Sequence, residues 1–92
     1  MQLSDLLKTP GAKIIDVRTP GEFAAGHVAG SINIPLNEVP TRVNEFRSEA
    51  PVILCCQSGN RSGQATNFLQ SNGLENVYNG GGWMDVNYVS SL

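Results

Sequence analysis

The sequence predicts an α/β domain with a mostly parallel central sheet and helices on both faces. Short apolar runs typical of buried strands alternate with segments of helical spacing, and glycine or proline ends most of them. The connections are short, which favours strands that follow one another through crossover helices. With 92 residues the chain is expected to form a single domain, residues 1–92, because its length allows only one compact unit.

The first half of the chain is predicted to contain a helix, a strand, a second helix and a second strand. Leucine spacing predicts a helix over residues 3–7, and an apolar, β-branched run predicts a central strand over residues 12–17. Thr19 and Glu22 form a capping-box pattern that opens a helix of one or two turns. Residues 31–34 predict a second short strand, which a proline ends.

The second half begins with an apolar pattern of three- and four-residue intervals over residues 36–47, which predicts an amphipathic helix with Pro40 in its first turn. A buried strand and a helix that stops at Gly73 are predicted next. Residues 75–78 predict a last short strand, and residues 79–82, Asn-Gly-Gly-Gly, predict a turn. Residues 83–89 are expected to form a final helical turn or a tail.

Composition and charge exclude several classes of function. Apolar residues make up 40% of the chain and charged residues 15%, which is typical of a folded globular domain. The net charge of −2 provides no basic surface for nucleic acid or membranes, so neither is expected as a partner. The N-terminus lacks the pattern of a signal peptide. We therefore expect a cytoplasmic monomer, or a periplasmic one if a leader has been removed.

The two cysteines are adjacent, which argues against a disulfide framework because such a framework needs pairs spread along the chain. Cys55 and Cys56 cannot form a metal site alone, and the single histidine, His27, is distant in sequence, so no metal and no organic cofactor are expected. Neighbouring residues of a strand point to opposite faces. Cys55 is therefore predicted to point into the core.

Cys56 is the candidate nucleophile. It stands where a buried strand, residues 52–55, gives way to a polar, glycine-containing loop and then to a helix over residues 61–70. The first N–H groups of a helix have no internal partners, and they favour negative charge. Together with Arg61, they are expected to keep this thiol as a thiolate.

Other polar residues are predicted to have structural roles. Asp16 and Arg18 are expected to belong to the scaffold rather than to act in catalysis, and Arg18 is expected to pair with Glu22 or another acid. His27 is expected to be a turn histidine bonded to the backbone rather than a general base. Trp83 is expected either to line a pocket or to cover the core.

Three stretches resemble the signatures of rhodanese-like domains: Ile14-Ile-Asp-Val-Arg-Thr-Pro-Gly-Glu-Phe with Gly26-His-Val-Ala-Gly-Ser-Ile-Asn-Ile-Pro, then Cys56-Gln-Ser-Gly-Asn-Arg-Ser-Gly-Gln-Ala, and finally Leu74-Glu-Asn-Val-Tyr-Asn-Gly-Gly-Gly. They occur in the order of the family and span about residues 12–84. The resemblance implies a small three-layer rhodanese-like fold. The most similar members are the small single-domain thiosulfate sulfurtransferases of bacteria.

The resemblance also implies a reaction. A cysteine thiolate takes the outer sulfur of thiosulfate, or of another sulfane-sulfur donor, releases sulfite, and passes the sulfur from a persulfide to a thiol or cyanide. On this resemblance Cys56 is the nucleophile, and the substrate-binding residues are Gln57, Ser58, Gly59, Asn60, Arg61 and Ser62.

Two other functions stay open from the sequence. One is a phosphatase or arsenate reductase, but phosphatases of related fold have one more residue between the cysteine and the arginine than the stretch from Cys56 to Arg61 contains. The shorter loop favours a single sulfur atom over a tetrahedral oxyanion. The other is a module that carries sulfur from a protein donor or binds a partner.

Overall fold

Four parallel strands form the central sheet, in the order β2-β1-β3-β4. The structure is a computed structural model that describes residues 2–92. The strands are β1 Lys13–Asp16, β2 Ile32–Asn33, β3 Val52–Cys56 and β4 Val77–Gly82. Strand β3 is buried along its whole length, as expected for an inner strand of a parallel sheet. The predicted α/β class and parallel sheet are confirmed.

Four α-helices accompany the strands: α1 Leu3–Lys8, α2 Pro20–Ala25, α3 Asn60–Ser71 and α4 Trp83–Ser90. The predicted capping box of α2 is present, because Thr19 and Glu22 exchange hydrogen bonds of 3.2 and 3.0 Å between side chain and backbone. The stop after α3 is also as predicted, with Gly73 in the left-handed region at a φ of 87°. The last segment, expected as a helical turn or a tail, is the regular helix α4.

The sheet separates two layers of apolar side chains. One layer contains Val39, Phe46, Ala65 and Leu69, so α3 and the segment before β3 cover that face. The other layer contains residues of α1 and α4 and is smaller: Val28, Cys55 and Val86, with Leu3, Leu7, Ile14 and Trp83 packed against them. Cys56 belongs to the first layer and Cys55 to the second. The prediction that the two sulfurs point to opposite faces is confirmed.

The predicted amphipathic helix over residues 36–47 is wrong in its type. Two short 3-10 helices, Leu36–Thr41 and Val43–Phe46, occupy this segment. Pro40 lies inside the first of them and has no N–H to donate, and Arg42 between them leaves helical geometry with φ −127° and ψ 28°. The apolar side chains of the pattern still face the core, so the pattern indicated burial correctly but not the helix geometry.

The predicted turn at residues 79–82 is also wrong, because these residues are the last four of the six in β4. A Cβ on Gly80 would lie 2.6 Å from Cγ2 of Ile53 and 3.0 Å from Cγ2 of Val86. Glycine is therefore required here by close packing between a strand and a helix rather than by a reversal of the chain. The register of β4 against β3 shifts beside Leu54, which accommodates the irregular backbone.

Candidate active site

Cys56 is the last residue of β3, and α3 begins four positions later, at Asn60. The intervening loop reverses at Gly59, whose φ of 96° is in the left-handed region that favours glycine. The cysteine therefore lies at the carboxyl end of an inner parallel strand, directly before the N-terminus of a twelve-residue helix. This is the position where open α/β sheets bind ligands.

Three hydrogen-bond donors converge on the Cys56 sulfur. The Gly59 N–H lies 3.0 Å from Sγ, the Ser62 N–H 3.4 Å, and the Ser62 hydroxyl 3.3 Å. The N–H of Ser58 adds a further favourable contribution to the thiolate. Backbone amides that curl around one atom in this way form an anion-binding nest.

The two neighbouring thiols differ in acidity. Burial opposes ionisation of Cys56, but the hydrogen bonds from Ser62, Ser58 and Gly59 outweigh it, so the pKa of Cys56 lies below the ordinary value. Burial without such donors raises the pKa of Cys55 to about 12. The opposite directions of these two pKa shifts favour Cys56 over Cys55 as the candidate nucleophile.

The six predicted substrate-binding residues follow Cys56 without interruption, but only some of them touch its sulfur. Gly59 and Ser62 donate directly to Sγ, and Ser62 is completely buried. Gln57, Ser58 and Asn60 have exposed side chains at the surface of the loop. The structure thus brings the loop backbone, more than its side chains, to the cysteine.

The Arg61 guanidinium is directed to a carboxylate. Its two terminal nitrogens donate to the two oxygens of Glu22 at 2.7 and 3.0 Å, a bidentate pair that joins α3 to α2. Arg61, followed by the Thr19 N–H, lowers the pKa of Glu22 to about 2. Paired hydrogen bonds from both terminal nitrogens of Arg61 to an anion therefore require its release from Glu22, a residue that the sequence analysis expected in the helix cap or paired with Arg18.

Asn79 is the second site residue that sequence reasoning missed. Its Nδ2 donates to the Gly59 carbonyl at 3.1 Å, and its Oδ1 accepts from the Ser62 hydroxyl at 2.7 Å and the Gly81 N–H at 3.0 Å. Asn79 thus connects β4 to Gly59 in the cysteine loop and to Ser62 in the first turn of α3. The only sequence signal was its place directly before three glycines, which was interpreted as a turn.

The cysteine loop also lies directly against the backbone of β4. A Cβ on Gly59 would be 3.2 Å from the Cα of Gly81, and a Cβ on Gly82 would be 3.0 Å from the carbonyl oxygen of Gln57. The glycines of β4 therefore allow the loop to approach a strand that carries no side chain at the contact. Side chains at these positions would push the loop away from the sheet.

Arg18 has the structural role that was predicted, with Asp16 as its acid partner. Both are buried, with a terminal nitrogen of Arg18 2.7 Å from Asp16 Oδ2, and the same guanidinium donates to the Gly26 carbonyl. Its guanidinium carbon lies 4.7 Å from the centre of the Trp83 ring. Trp83 covers part of the smaller apolar layer and also lines a cleft of about 310 Å³ with Arg18, Glu22, Ala25, Gly26, Gln57 and Met84.

His27 is a backbone-bonded turn histidine, as predicted. Its Nδ1 lies 2.7 Å from the Phe23 carbonyl oxygen, and its ring stacks on the Phe23 ring at 3.8 Å. Within residues 2–92, no group of three or more metal-binding side chains lies together. Over the same residues, no helix has the length and apolar character needed to cross a bilayer.

The fold and the site define a small α/β domain that holds a cysteine in a loop of backbone amides at the end of a parallel strand. The chain belongs to the rhodanese-like domain family, whose pattern it matches over residues 1–87. It is 36% identical over 89 residues to the thiosulfate sulfurtransferase GlpE of Tolumonas auensis, covering 92% of this chain and 84% of that protein.

Two further comparisons agree with the family. The chain is 48% identical over 68 residues to the uncharacterized protein YqhL of Bacillus subtilis; the match covers 74% of this chain and spans only 54% of the length of that relative. A solved structure described as rhodanese with anions, from Escherichia coli, superposes with a TM-score of 0.68 at 37% identity. That superposition covers 82% of this chain and 91% of the other.

Proposed function

We propose that this protein is a sulfurtransferase that moves the sulfane sulfur of thiosulfate to a thiol or cyanide through a persulfide on Cys56. The observation that carries the proposal is the convergence of three donors, 3.0 to 3.4 Å away, on a single sulfur atom. Membership of the rhodanese-like family and the name of the GlpE relative support the same activity.

The proposed reaction has two balanced steps. The Cys56 thiolate attacks the outer sulfur of thiosulfate; a new S–S bond forms, the bond to the sulfonate sulfur breaks, and sulfite leaves with that electron pair. The acceptor thiolate or cyanide then attacks the outer sulfur of the persulfide, and Cys56 returns as a thiolate. Dividing the transfer in this way requires a stabilised anionic sulfur, which is the species that the amide donors favour.

The loop residues have distinct proposed roles. The N–H groups from Ser58 to Ser62 surround the thiolate and then the persulfide, with Gly59 allowing the backbone to curl. Gln57 and Asn60 form the exposed rim that meets the donor and the acceptor. Arg61 binds the sulfonate of thiosulfate through paired hydrogen bonds once it leaves Glu22.

A phosphatase or arsenate reductase is less consistent with the site. A tetrahedral oxyanion at the cysteine needs a wider loop, whereas this loop is one residue shorter than that of related phosphatases. The geometry therefore favours a single sulfur atom as the transferred group.

The experiment is to incubate the protein with thiosulfate and to record its intact mass. We expect a gain of one sulfur atom that cyanide or a reductant reverses. Cys56→Ser should show no gain, while Cys55→Ser, the matched control on the neighbouring residue, should behave as the unmodified chain. A wild-type protein that acquires no sulfur would overturn the proposal, and sulfur uptake from a persulfidated protein alone would instead support the carrier function.

A further inference from the structure

The hydroxyl of Ser62 has two acceptors and only one proton. Its Oγ lies 2.7 Å from Oδ1 of Asn79 and 3.3 Å from Sγ of Cys56. A serine hydroxyl can donate a single hydrogen bond, so it serves either the amide oxygen or the sulfur, but not both. Ser62 is completely buried, so its hydroxyl is shielded from bulk water.

Two backbone groups fix which atom of Asn79 faces Ser62. The Gly81 N–H can only donate, and it lies 3.0 Å from Oδ1. The Gly59 carbonyl can only accept, and it lies 3.1 Å from Nδ2. The amide therefore cannot reverse without placing like groups together at both contacts, and Oδ1, an acceptor, must face the serine.

These contacts permit two arrangements of protons. When Cys56 is a thiol, its S–H can donate to Ser62 Oγ while the hydroxyl donates to Asn79. When Cys56 is a thiolate, the hydroxyl can stabilise it only by turning to the sulfur, which leaves two oxygen atoms 2.7 Å apart with no proton between them. Asn79 therefore favours the thiol and opposes the thiolate.

We propose that Asn79 is a positioning residue that competes with the Cys56 sulfur for the Ser62 proton and thereby controls how readily the nucleophile ionises. The inference deepens the proposed sulfurtransferase site and rests on Cys56 being its nucleophile. In the persulfide the charge moves to the outer sulfur, and the Ser62 hydroxyl can return to Asn79. Asn79 Oδ1 thus accepts the Ser62 hydroxyl proton at each stage of the cycle in which the Cys56 sulfur carries no charge.

Other charged or titratable groups lie on the elements around the Cys56 loop. They are Cys55 on β3, Asp16 at the end of β1 and Arg18 just after it, Glu22 on α2, Arg61 on α3 and Asp85 on α4. Of these groups, Cys55 and Arg61 interact electrostatically with Cys56. All of these groups are retained in the variants described below, so their charges remain present when the pH midpoints of Cys56 alkylation are compared. The variants therefore isolate the contribution of Asn79 and Ser62.

The test measures alkylation of Cys56 by iodoacetamide across pH, with the modified residue located by peptide mass. Asn79→Ala removes the competing acceptor, so the midpoint of the profile should move to lower pH. The rate below the midpoint should rise about threefold, because the larger thiolate fraction outweighs its weaker nucleophilicity. Asn79→Asp keeps an acceptor facing Ser62 and adds negative charge, so its midpoint should move to higher pH.

Both substitutions also remove the Nδ2 contact to Gly59, which makes them a matched pair. A role limited to holding the loop predicts shifts of the same sign, and that result would overturn the proposal. In a Ser62→Ala background the effect of Asn79→Ala should vanish, whereas an effect that persists would also overturn it. Because the readout is alkylation of free Cys56, it stands or fails independently of whether thiosulfate is the donor.

Discussion

The ion pair between Arg61 and Glu22 leads to a prediction about the binding of the sulfur donor, thiosulfate. Glu22→Gln preserves the size of the side chain and leaves one oxygen that can accept from the cap residue Thr19. It removes the negative charge, and it places an NH₂ group against one of the two guanidinium nitrogens now bonded at 2.7 and 3.0 Å. The substitution should therefore release Arg61 from α2.

We expect this release to strengthen binding of thiosulfate. The two side chains are 32% and 35% exposed, so water screens the pair, and exposed pairs of this kind change an equilibrium constant about two- to fivefold. A sulfur donor that binds the Arg61 guanidinium must compete with the Glu22 carboxylate for its hydrogen bonds. The KM for thiosulfate should fall by about that factor, while kcat changes less than about twofold.

The assay is the initial rate of thiocyanate formation against thiosulfate concentration at fixed cyanide. Glu45→Gln is the matched control, because Glu45 forms a comparable two-bond pair with Arg42, at 2.6 and 2.8 Å, away from the cysteine loop. The pKa of Glu22 is about 2, so its carboxylate is charged throughout the neutral range, and its contribution disappears only as pH falls towards that value. The ratio of KM values should consequently be the same on both sides of neutrality.

An unchanged or increased KM in Glu22→Gln would refute this reasoning. An increase would mean that Glu22 holds Arg61 in its working position instead of withholding it. In an Arg61→Leu background, Glu22→Gln should have no further effect on KM. An effect that survives there would show that Glu22 acts on the donor directly, through its own charge.

Two further predictions concern stability. Gly80→Ala forces a Cβ to within 2.6 Å of Cγ2 of Ile53, so it should cost roughly 1–3 kcal/mol and lower Tm by about 5–20 °C. Gly21→Ala, the matched control with no atom within 4 Å of the new Cβ, should cause no loss; equal melting temperatures for the two variants would contradict the packing account. Asp16→Ala leaves the charge of Arg18 buried without its partner and should reduce the free energy of unfolding in urea by about 3–5 kcal/mol, and a loss below about 1 kcal/mol would mean that the pair is dispensable.

The sequence was most informative where a local rule decides the structure. The capping box at Thr19, the stop at Gly73 and the opposed faces of the two cysteines depend on neighbouring residues only, and all three are confirmed. The position of Cys56 between a strand and a helix followed from the same kind of pattern. The monomeric state and the compartment stay predictions.

The sequence was least informative where partners are distant along the chain. The pairing of Glu22 with Arg61 joins residues 39 positions apart, and Asn79 reaches back 17 positions to Ser62. Neither spacing follows a periodicity. The glycines of β4 were misinterpreted for the same reason, since the atoms that exclude a side chain at Gly80 belong to β3 and α4.

The bare backbone of β4 beneath the cysteine loop has a consequence for how this domain could acquire a new substrate. A phosphate group would suit a loop that is one residue longer. Such an insertion would have to move Gln57 away from Gly82 or Gly59 away from Gly81, where the two main chains are too close to admit even a Cβ without a tight contact. An insertion would therefore need a compensating shift of the whole edge strand. We therefore expect the backbone of β4 beneath the loop, as well as the loop's own length, to favour transfer of a single sulfur atom over binding of a phosphate group.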